Sequence, residues 1–199
     1  MDEILKIANK YAKGQADVLN RRNEWLQKSK EVLAQLKEIA AFLNEKGEYG
    51  AKYHVDVHLA YNEENHGTCE GLPSITFRSG QMPLHITFRN VGGTNVEFVE
   101  EGFHLTFTPS IAGEILVLLV PHTGNFTREQ PELEEVAIIE NPGAITREII
   151  NTIMAKGLEA AYFSSYTGLI ERQNLEQDEE QKQYQRVPIG FKRFETTEK

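Results

Sequence analysis

The chain has 199 residues and a formal net charge of −9, with 40% hydrophobic and 26% charged residues. This length and composition suit one globular domain with its own core, together with an extended arm at most. The single cysteine excludes an internal disulfide and suits a reducing compartment, so we expect a cytoplasmic protein. The acidic beginning lacks the pattern of a secretory signal, and the longest apolar run, Ile115–Val120, is too short to cross a bilayer. We therefore expect no membrane association.

The excess of acidic residues is concentrated in the central part of the chain. Residues 51–140 contain thirteen acidic and four basic side chains, whereas the flanking segments are nearly balanced. Because these acidic side chains would repel a phosphate backbone, we expect no nucleic-acid partner. The basic residues near the beginning of the chain are interleaved with acidic ones, which is typical of a solvated helix face.

The first 47 residues have the pattern of a long amphipathic helix. Asp2 and Glu3 suit the positive end of the helix dipole, and Gly47 is a typical helix terminator. No proline interrupts residues 2–46, so a continuous helix would be about 65–70 Å long. This segment predicts either an extended coiled-coil arm or a helical hairpin that breaks near Asn20.

Two apolar stripes run along this helix with the seven-residue spacing of coiled coils. Together they are wider than a two-stranded seam needs, so the helix is expected to pack against more than one surface. We predict that the first stripe forms an interface with a second helix. The residues expected there are Ile4, Ile7, Tyr11, Val18 and Trp25.

Residues 51–140 alternate between apolar and polar side chains, which indicates half-buried strands. Short connections favour antiparallel pairing, so we predict a meander sheet of five to seven strands. The similar segments 74–78 and 85–89 are interpreted as one hairpin, and segments 96–99 and 103–108 as another. The apolar phase of the strands predicts a buried set that comprises Ile75, Phe77, Ile86, Phe88, Leu105, Phe107 and Leu116.

The last third of the chain predicts a helix followed by a polar tail. Asn141 and Pro142 have the pattern of a helix start, and an apolar face extends from Ile145 to Tyr162. This helix is expected to pack on one face of the sheet. Residues 167–199 are rich in Gln and Glu and predict a partly disordered tail. The overall expectation is an α+β fold whose core spans residues 48–166, between the helix of residues 1–47 and this tail.

Several polar residues fall on the same side of the predicted strands. His54, Asp56 and His58 share one strand face, where neighbouring same-face positions lie about 6.5–7 Å apart. Two neighbouring residues could share a metal ion, and His85 or His104 could complete a site across strands, but the two outer histidines would be about 13 Å apart, too far to share one ion. A closed site usually needs four converging ligands, so we expect no structural metal, and we also expect no cofactor. The simplest interpretation is a solvated sheet face, which would nevertheless offer a polar binding surface. Its candidate residues are His54, Asp56, His58, Arg78, His85, Arg89 and His104.

Catalytic patterns are weak. The only thiol, Cys69, lies three residues after His66, but a nucleophile also needs an orienting third group and an oxyanion hole, which the sequence does not indicate. His122 at a predicted strand end is a single residue without partners. The chain contains neither a phosphate-binding glycine loop nor a nucleophile-elbow pattern. The sequence therefore favours a protein without enzymatic activity.

Two functional hypotheses remain. In the first, the protein is an assembly or scaffolding protein whose N-terminal helix associates with a second copy or with another protein. In the second, the sheet and the C-terminal helix enclose a pocket for a small apolar ligand. Aromatic residues such as Phe77, Phe88 and Phe103 would line such a pocket or fill the core, and filling the core is the simpler interpretation.

Overall fold

A computed structural model describes residues 1–47, 52–59, 71–89, 93–121, 123–124, 133–165 and 168, without the side chains of residues 82–89, 98, 123 and 124. Helix α1 spans Asp2–Lys46, helix α2 spans Arg147–Ser164, and a short 3-10 helix spans Pro142–Ala144. The strands are β1 (Tyr53–Leu59), β2 (Pro73–Ser79), β3 (Met82–Arg89), β4 (Asn95–Glu101), β5 (His104–Pro109), β6 (Ile115–Val120), β7 (Thr123–Gly124) and β8 (Glu134–Ile139).

Helix α1 is a single helix of 45 residues, and it continues through Asn20 without interruption. The alternative of a helical hairpin is therefore wrong. The helix ends where the amide of Gly47 bonds to the carbonyl oxygen of Leu43. At the rise of an α-helix its length is about 67 Å, and only its second half carries fully buried residues.

The main sheet has five antiparallel strands in the order β1-β2-β5-β6-β8, which confirms the predicted α+β class and antiparallel sheet. A second sheet contains β3, β4 and β7. The registers of the two sheets are continuous. Arg78 pairs with His104 between β2 and β5, and Met82 pairs with Glu100 between β3 and β4. Along one antiparallel ladder the two residue numbers of every pair add to the same sum, and these two pairs share one sum. Two long strands, β2 with β3 and β4 with β5, therefore bend at one level and pass from the main sheet into the second sheet.

The two predicted hairpins are wrong, because the segments join end to end as bent strands. Strand β2 pairs with β1 and β5 instead of β3, and β4 pairs with β3 and β7 instead of β5. At the bend, the Ser79 amide donates to the Phe103 carbonyl oxygen, and the Phe103 amide donates to the Ser79 hydroxyl at 3.1 Å. A side chain at Gly102 would overlap the Ser79 carbonyl. The glycines that resemble turn residues in the sequence thus permit a bend without a chain reversal.

The core lies between one face of the main sheet and the two helices. Ile75, Phe77, Leu105 and Phe107 are buried there, as their strand phase predicts. Leu116 is an exception, because its register opposite Thr108 turns it to the outer face, where it is only half-buried. The side chains of Ile86 and Phe88 lie outside the described part of the chain. The other large core residues are Trp25, Val32, Leu36, Phe103, Ile115, Val117, Leu119, Ile145, Ile150, Ile153 and Met154.

Helix α2 packs on the same sheet face as α1. The Thr146 side chain caps its first turn by accepting from the Ile149 amide. Gly157 faces Leu105 so closely that an added Cβ would lie 2.6 Å from the Leu105 Cδ2 atom. At this contact the helix and the sheet leave no space for a ligand.

Candidate functional site

The first half of α1 continues the face that packs on the sheet in its second half. Buried side chains recur along α1 at Trp25, Ser29, Val32, Leu36 and Ala40, in steps of three and four residues. The same steps towards the N-terminus reach a set of largely apolar residues that lies beyond the end of the sheet. We call residues 2–20 the arm. The residues of the arm on the core-facing side are Ile4, Ile7, Tyr11 and Val18.

Most apolar side chains of the arm are exposed to solvent. Ile4 is 67% exposed, Ile7 63% and Tyr11 69%, while Val18 is half-buried near the body of the protein. Leu5 and Leu19, on the flank of this face, are also largely exposed. The arm therefore presents an apolar surface about 30 Å long.

Trp25 was predicted to lie in the interface, and this prediction is wrong. Its side chain is fully buried, and the indole Nε1 donates a hydrogen bond to the Pro73 carbonyl oxygen at 2.8 Å. The seven-residue pattern is the same on both sides of Arg22, so the sequence does not indicate where the sheet begins to cover the helix.

Two arginines join the arm to the body at the turn between β5 and β6. Arg21 Nη1 donates to the Ala112 carbonyl oxygen at 3.2 Å, and Arg22 Nη2 donates to the Ile111 carbonyl oxygen at 2.8 Å. Gly113 has a φ of 81°, which glycine adopts readily, and an added Cβ there would lie 2.9 Å from the Arg21 Cβ atom. The turn thus packs directly against the helix, and this contact fixes the direction of the arm.

The arm and this turn together line an open, largely apolar groove. Ile111 is 61% exposed although it is a large apolar residue in a turn. Apart from the adjacent residues and the backbone of the helix itself, no atom lies within 4 Å of the position that a Cβ of Gly14 would occupy, so the groove has room over this residue. The contribution of the turn was not predicted from the sequence, because an isolated Ile-Ala pair has no recognisable pattern. The lining residues are Ile7, Lys10, Tyr11, Gly14, Gln15, Val18, Leu19, Arg22, Ile111 and Ala112.

The predicted polar sheet face exists on β1, β2 and β5. The registers align His54, Arg78 and His104 in one row across these strands, and Asp56 and His58 lie on the same face of β1. Strand β3 carries His85 and Arg89, and it belongs to the second sheet. The side chains of these two residues lie outside the described part of the chain.

Polar groups of this face are paired between neighbouring strands. Arg78 forms an ion pair with Asp56, and the Thr76 and Thr106 hydroxyls lie 3.0 Å apart. The Ser74 and Thr108 hydroxyls lie 2.7 Å apart. Among the described residues, no group of three or more His, Cys, Asp or Glu side chains is arranged to hold a metal ion. The described part of this face is thus a cross-strand ladder of polar pairs.

Other candidates from the sequence contribute no chemistry that the structure describes. His66, Cys69 and His122 lie outside the described residues. Burial raises the pKa of the Tyr53 hydroxyl above its ordinary value, and the Tyr53 ring stacks on Phe77 with a centroid distance of 5.5 Å. Tyr53 therefore belongs to the edge of the core.

Comparison with known proteins assigns this chain to no family. No protein-family model matches it, and no curated protein or solved structure is significantly similar to it. Across the described segments, neither helix has an apolar stretch of the length that a membrane span requires.

Proposed function

We propose that this protein is a non-catalytic assembly protein that associates with itself through the arm of α1. The observation that carries the proposal is the exposure of Ile4, Ile7 and Tyr11 on the helix face that forms the core further along α1. Contiguous exposed apolar patches usually mark an interaction surface. The single cysteine suits a reducing compartment, and we propose a cytoplasmic location.

The energetics favour an apolar partner surface. Full burial of a side chain such as Ile or Leu contributes roughly 1.5–3 kcal/mol. A symmetric dimer buries the same arm residues on both copies. Their combined burial can offset the loss of translational and rotational freedom on association, which costs about 4–15 kcal/mol. Helices in proteins owe most of their stability to tertiary packing, which the arm lacks in a single copy, so a partner would stabilise it.

The ligand-binding alternative receives less support. Its pocket was expected between the sheet and α2, where Gly157 and Leu105 are in close contact. The core side chains Ile153 and Met154 of α2 are almost completely buried on the same side. Packing of this kind fills the space that a ligand would need.

Sedimentation velocity of the full-length chain over a range of protein concentrations tests the proposal. We expect a concentration-dependent shift from monomer to dimer, and we expect Ile7→Ser combined with Tyr11→Ser to abolish it. The matched control is Lys6→Ser combined with Lys13→Ser, because these exposed residues lie on the opposite side of the same helix segment. A full-length chain that remains monomeric at the highest concentration would refute self-association.

A further inference from the structure

We propose that two copies of the chain pair their arms in antiparallel orientation, with a two-fold axis between Ala12 and Lys13. This inference rests on the proposed self-association and specifies its geometry. Each arm would lie in the groove of the other copy, and its N-terminus would reach the turn between β5 and β6 of that copy.

Parallel pairing of the arms would make the bodies of the two copies clash. The exposed face of the arm and the buried face of residues 25–40 form one continuous side of α1. If two parallel helices met through this side, the second half of each helix would have to occupy the space that the other copy's sheet and α2 fill. In an antiparallel pair, the body of each copy lies beyond the N-terminus of its partner, so the same faces meet without a clash.

The length of the arm fits this arrangement. The first side-chain hydrogen bonds from α1 to the end of the sheet are those of Arg21 and Arg22 with the carbonyl groups of Ala112 and Ile111. About 20 residues of helix therefore lie in front of the body. An antiparallel overlap of the two arms has the same length, and it brings Ile4 of one copy to the exposed Ile111 of the other.

Side-chain packing between the two arms selects the register. With the axis between residues 12 and 13, Ile7 lies opposite Val18, and Tyr11 lies opposite Gly14. The open space above Gly14 matches the exposed ring of Tyr11, so a large side chain meets a small one. Parallel pairing would instead set Tyr11 against Tyr11 and leave Gly14 against Gly14.

Charged residues along the arm favour the same register. Along one edge of the apolar face, charged residues recur every seven residues at Glu3, Lys10, Asp17 and Glu24. In the antiparallel register the edge of one arm meets the same edge of the other, and Lys10 lies next to Asp17 in two symmetric pairs. The remaining pair, Glu3 with Glu24, is like-charged, but Glu24 already accepts a hydrogen bond from the Gly143 amide at 3.2 Å in its own chain. Arg21 also lies on this edge, next to Glu3 of the other copy.

Disulfide cross-linking of full-length chains in a Cys69→Ala background tests the orientation. We expect a mixture of the Ile7→Cys and Val18→Cys chains to form the mixed disulfide efficiently under mild oxidation. Each chain alone should form little disulfide-linked dimer. Efficient linkage within Ile7→Cys alone and within Val18→Cys alone would indicate parallel pairing and would overturn this inference, while the self-association itself would stand.

Charge reversal provides a second test that needs no new cysteine. Lys10→Glu and Asp17→Lys should each weaken dimerisation roughly tenfold, because each single change turns two attractive pairs into repulsive ones. The double variant should recover the affinity of the natural sequence, which sedimentation measures. Additive weakening in the double variant would contradict the antiparallel register. Absence of any dimer in the unmodified chain would instead refute the proposed function.

Discussion

Gln35 and Glu38 of α1 both contact Arg147 at the beginning of α2, but in different surroundings. Gln35 is only 8% exposed, and its Nε2 donates to the Arg147 carbonyl oxygen at 2.8 Å and to the Asn151 side chain at 3.0 Å. Glu38 accepts from the Arg147 guanidinium at 2.6 Å, but both side chains of this ion pair are largely exposed. When a buried hydrogen bond loses one partner, the other polar group is left unsatisfied. When an exposed ion pair loses one partner, water hydrates the remaining charge.

These two contacts predict unequal effects of alanine substitution. Gln35→Ala should lower the free energy of unfolding by about 1–3 kcal/mol, because it removes a buried side chain whose hydrogen bonds join α1 to α2. Glu38→Ala should change it by less than about 1 kcal/mol. Urea unfolding followed by the fluorescence of Trp25, the single and fully buried tryptophan, measures both values. Equal effects of the two substitutions would show that the buried hydrogen bonds contribute no more than the surface ion pair.

Among the elements, the bent strands are the feature that organises the two sheets. Ser79, Gly80, Gly102 and Phe103 lie at the bend of two neighbouring strands. The amide of Gly80 bonds to the Lys52 carbonyl oxygen at 2.6 Å, so the bend is also attached to the residue before β1. The two glycines differ in the space around them, since Gly102 lies against the Ser79 backbone and a Cβ on Gly80 would lie 3.4 Å from the Lys52 carbonyl oxygen.

Alanine substitution should separate the roles of these glycines. Gly102→Ala should destabilise the protein by about 2–3 kcal/mol, because the methyl group would overlap backbone atoms that are fixed by sheet hydrogen bonds. Gly80→Ala is the matched control and should have a small effect, because its methyl group would make only an ordinary contact. Thermal unfolding by circular dichroism measures the difference, for which a chain of this size predicts about 2–4 °C per kcal/mol. If Gly102→Ala unfolds at the same temperature as Gly80→Ala, the bend does not depend on the close approach.

The bend also shows why secondary structure was easier to predict than pairing. The spacing of apolar residues correctly predicted the long helix, the antiparallel strands and the C-terminal helix, because these patterns are local. The predicted hairpins were wrong because glycines such as Gly80 and Gly102 are found both in chain-reversing turns and in strand bends. Only contacts between residues distant in the sequence distinguish a turn from a bend. The phase of Leu116 was wrong for a related reason, since Ile115–Val120 is apolar at every position and does not indicate which side faces the core.

For the molecule as a whole, the candidate site could be predicted in part. The apolar positions Ile4, Ile7 and Tyr11 are visible as a helical stripe, and their exposure agrees with the expected interaction surface without testing it. The point at which the stripe enters the core could not be predicted, because it depends on the contact between Arg22 and Ile111 across the fold. For this reason Trp25 was assigned to the interface, although its side chain is fully buried in the core.

The proposed assembly connects the stability of the arm to protein concentration. In a monomer, residues 5–18 have few contacts outside their own helix, and an isolated helix of this length is only marginally stable. Residues 29–43 pack on the sheet and on α2, so their backbone hydrogen bonds open only with the rest of the fold. A partner that covers the arm would protect the first segment and leave the second unchanged.

Hydrogen exchange measured by mass spectrometry at low and high protein concentration tests this connection. Peptides from residues 5–18 should exchange rapidly in dilute solution and several-fold more slowly at concentrations where the dimer forms, because pairing stabilises the helix. Peptides from residues 29–43 should exchange slowly at both concentrations. The variant with Ile7→Ser and Tyr11→Ser provides the control, and its arm should exchange rapidly at every concentration. If the arm of the natural sequence exchanges at the same rate as the arm of this variant at all concentrations, then no partner covers it, and assembly through this surface would have to be abandoned.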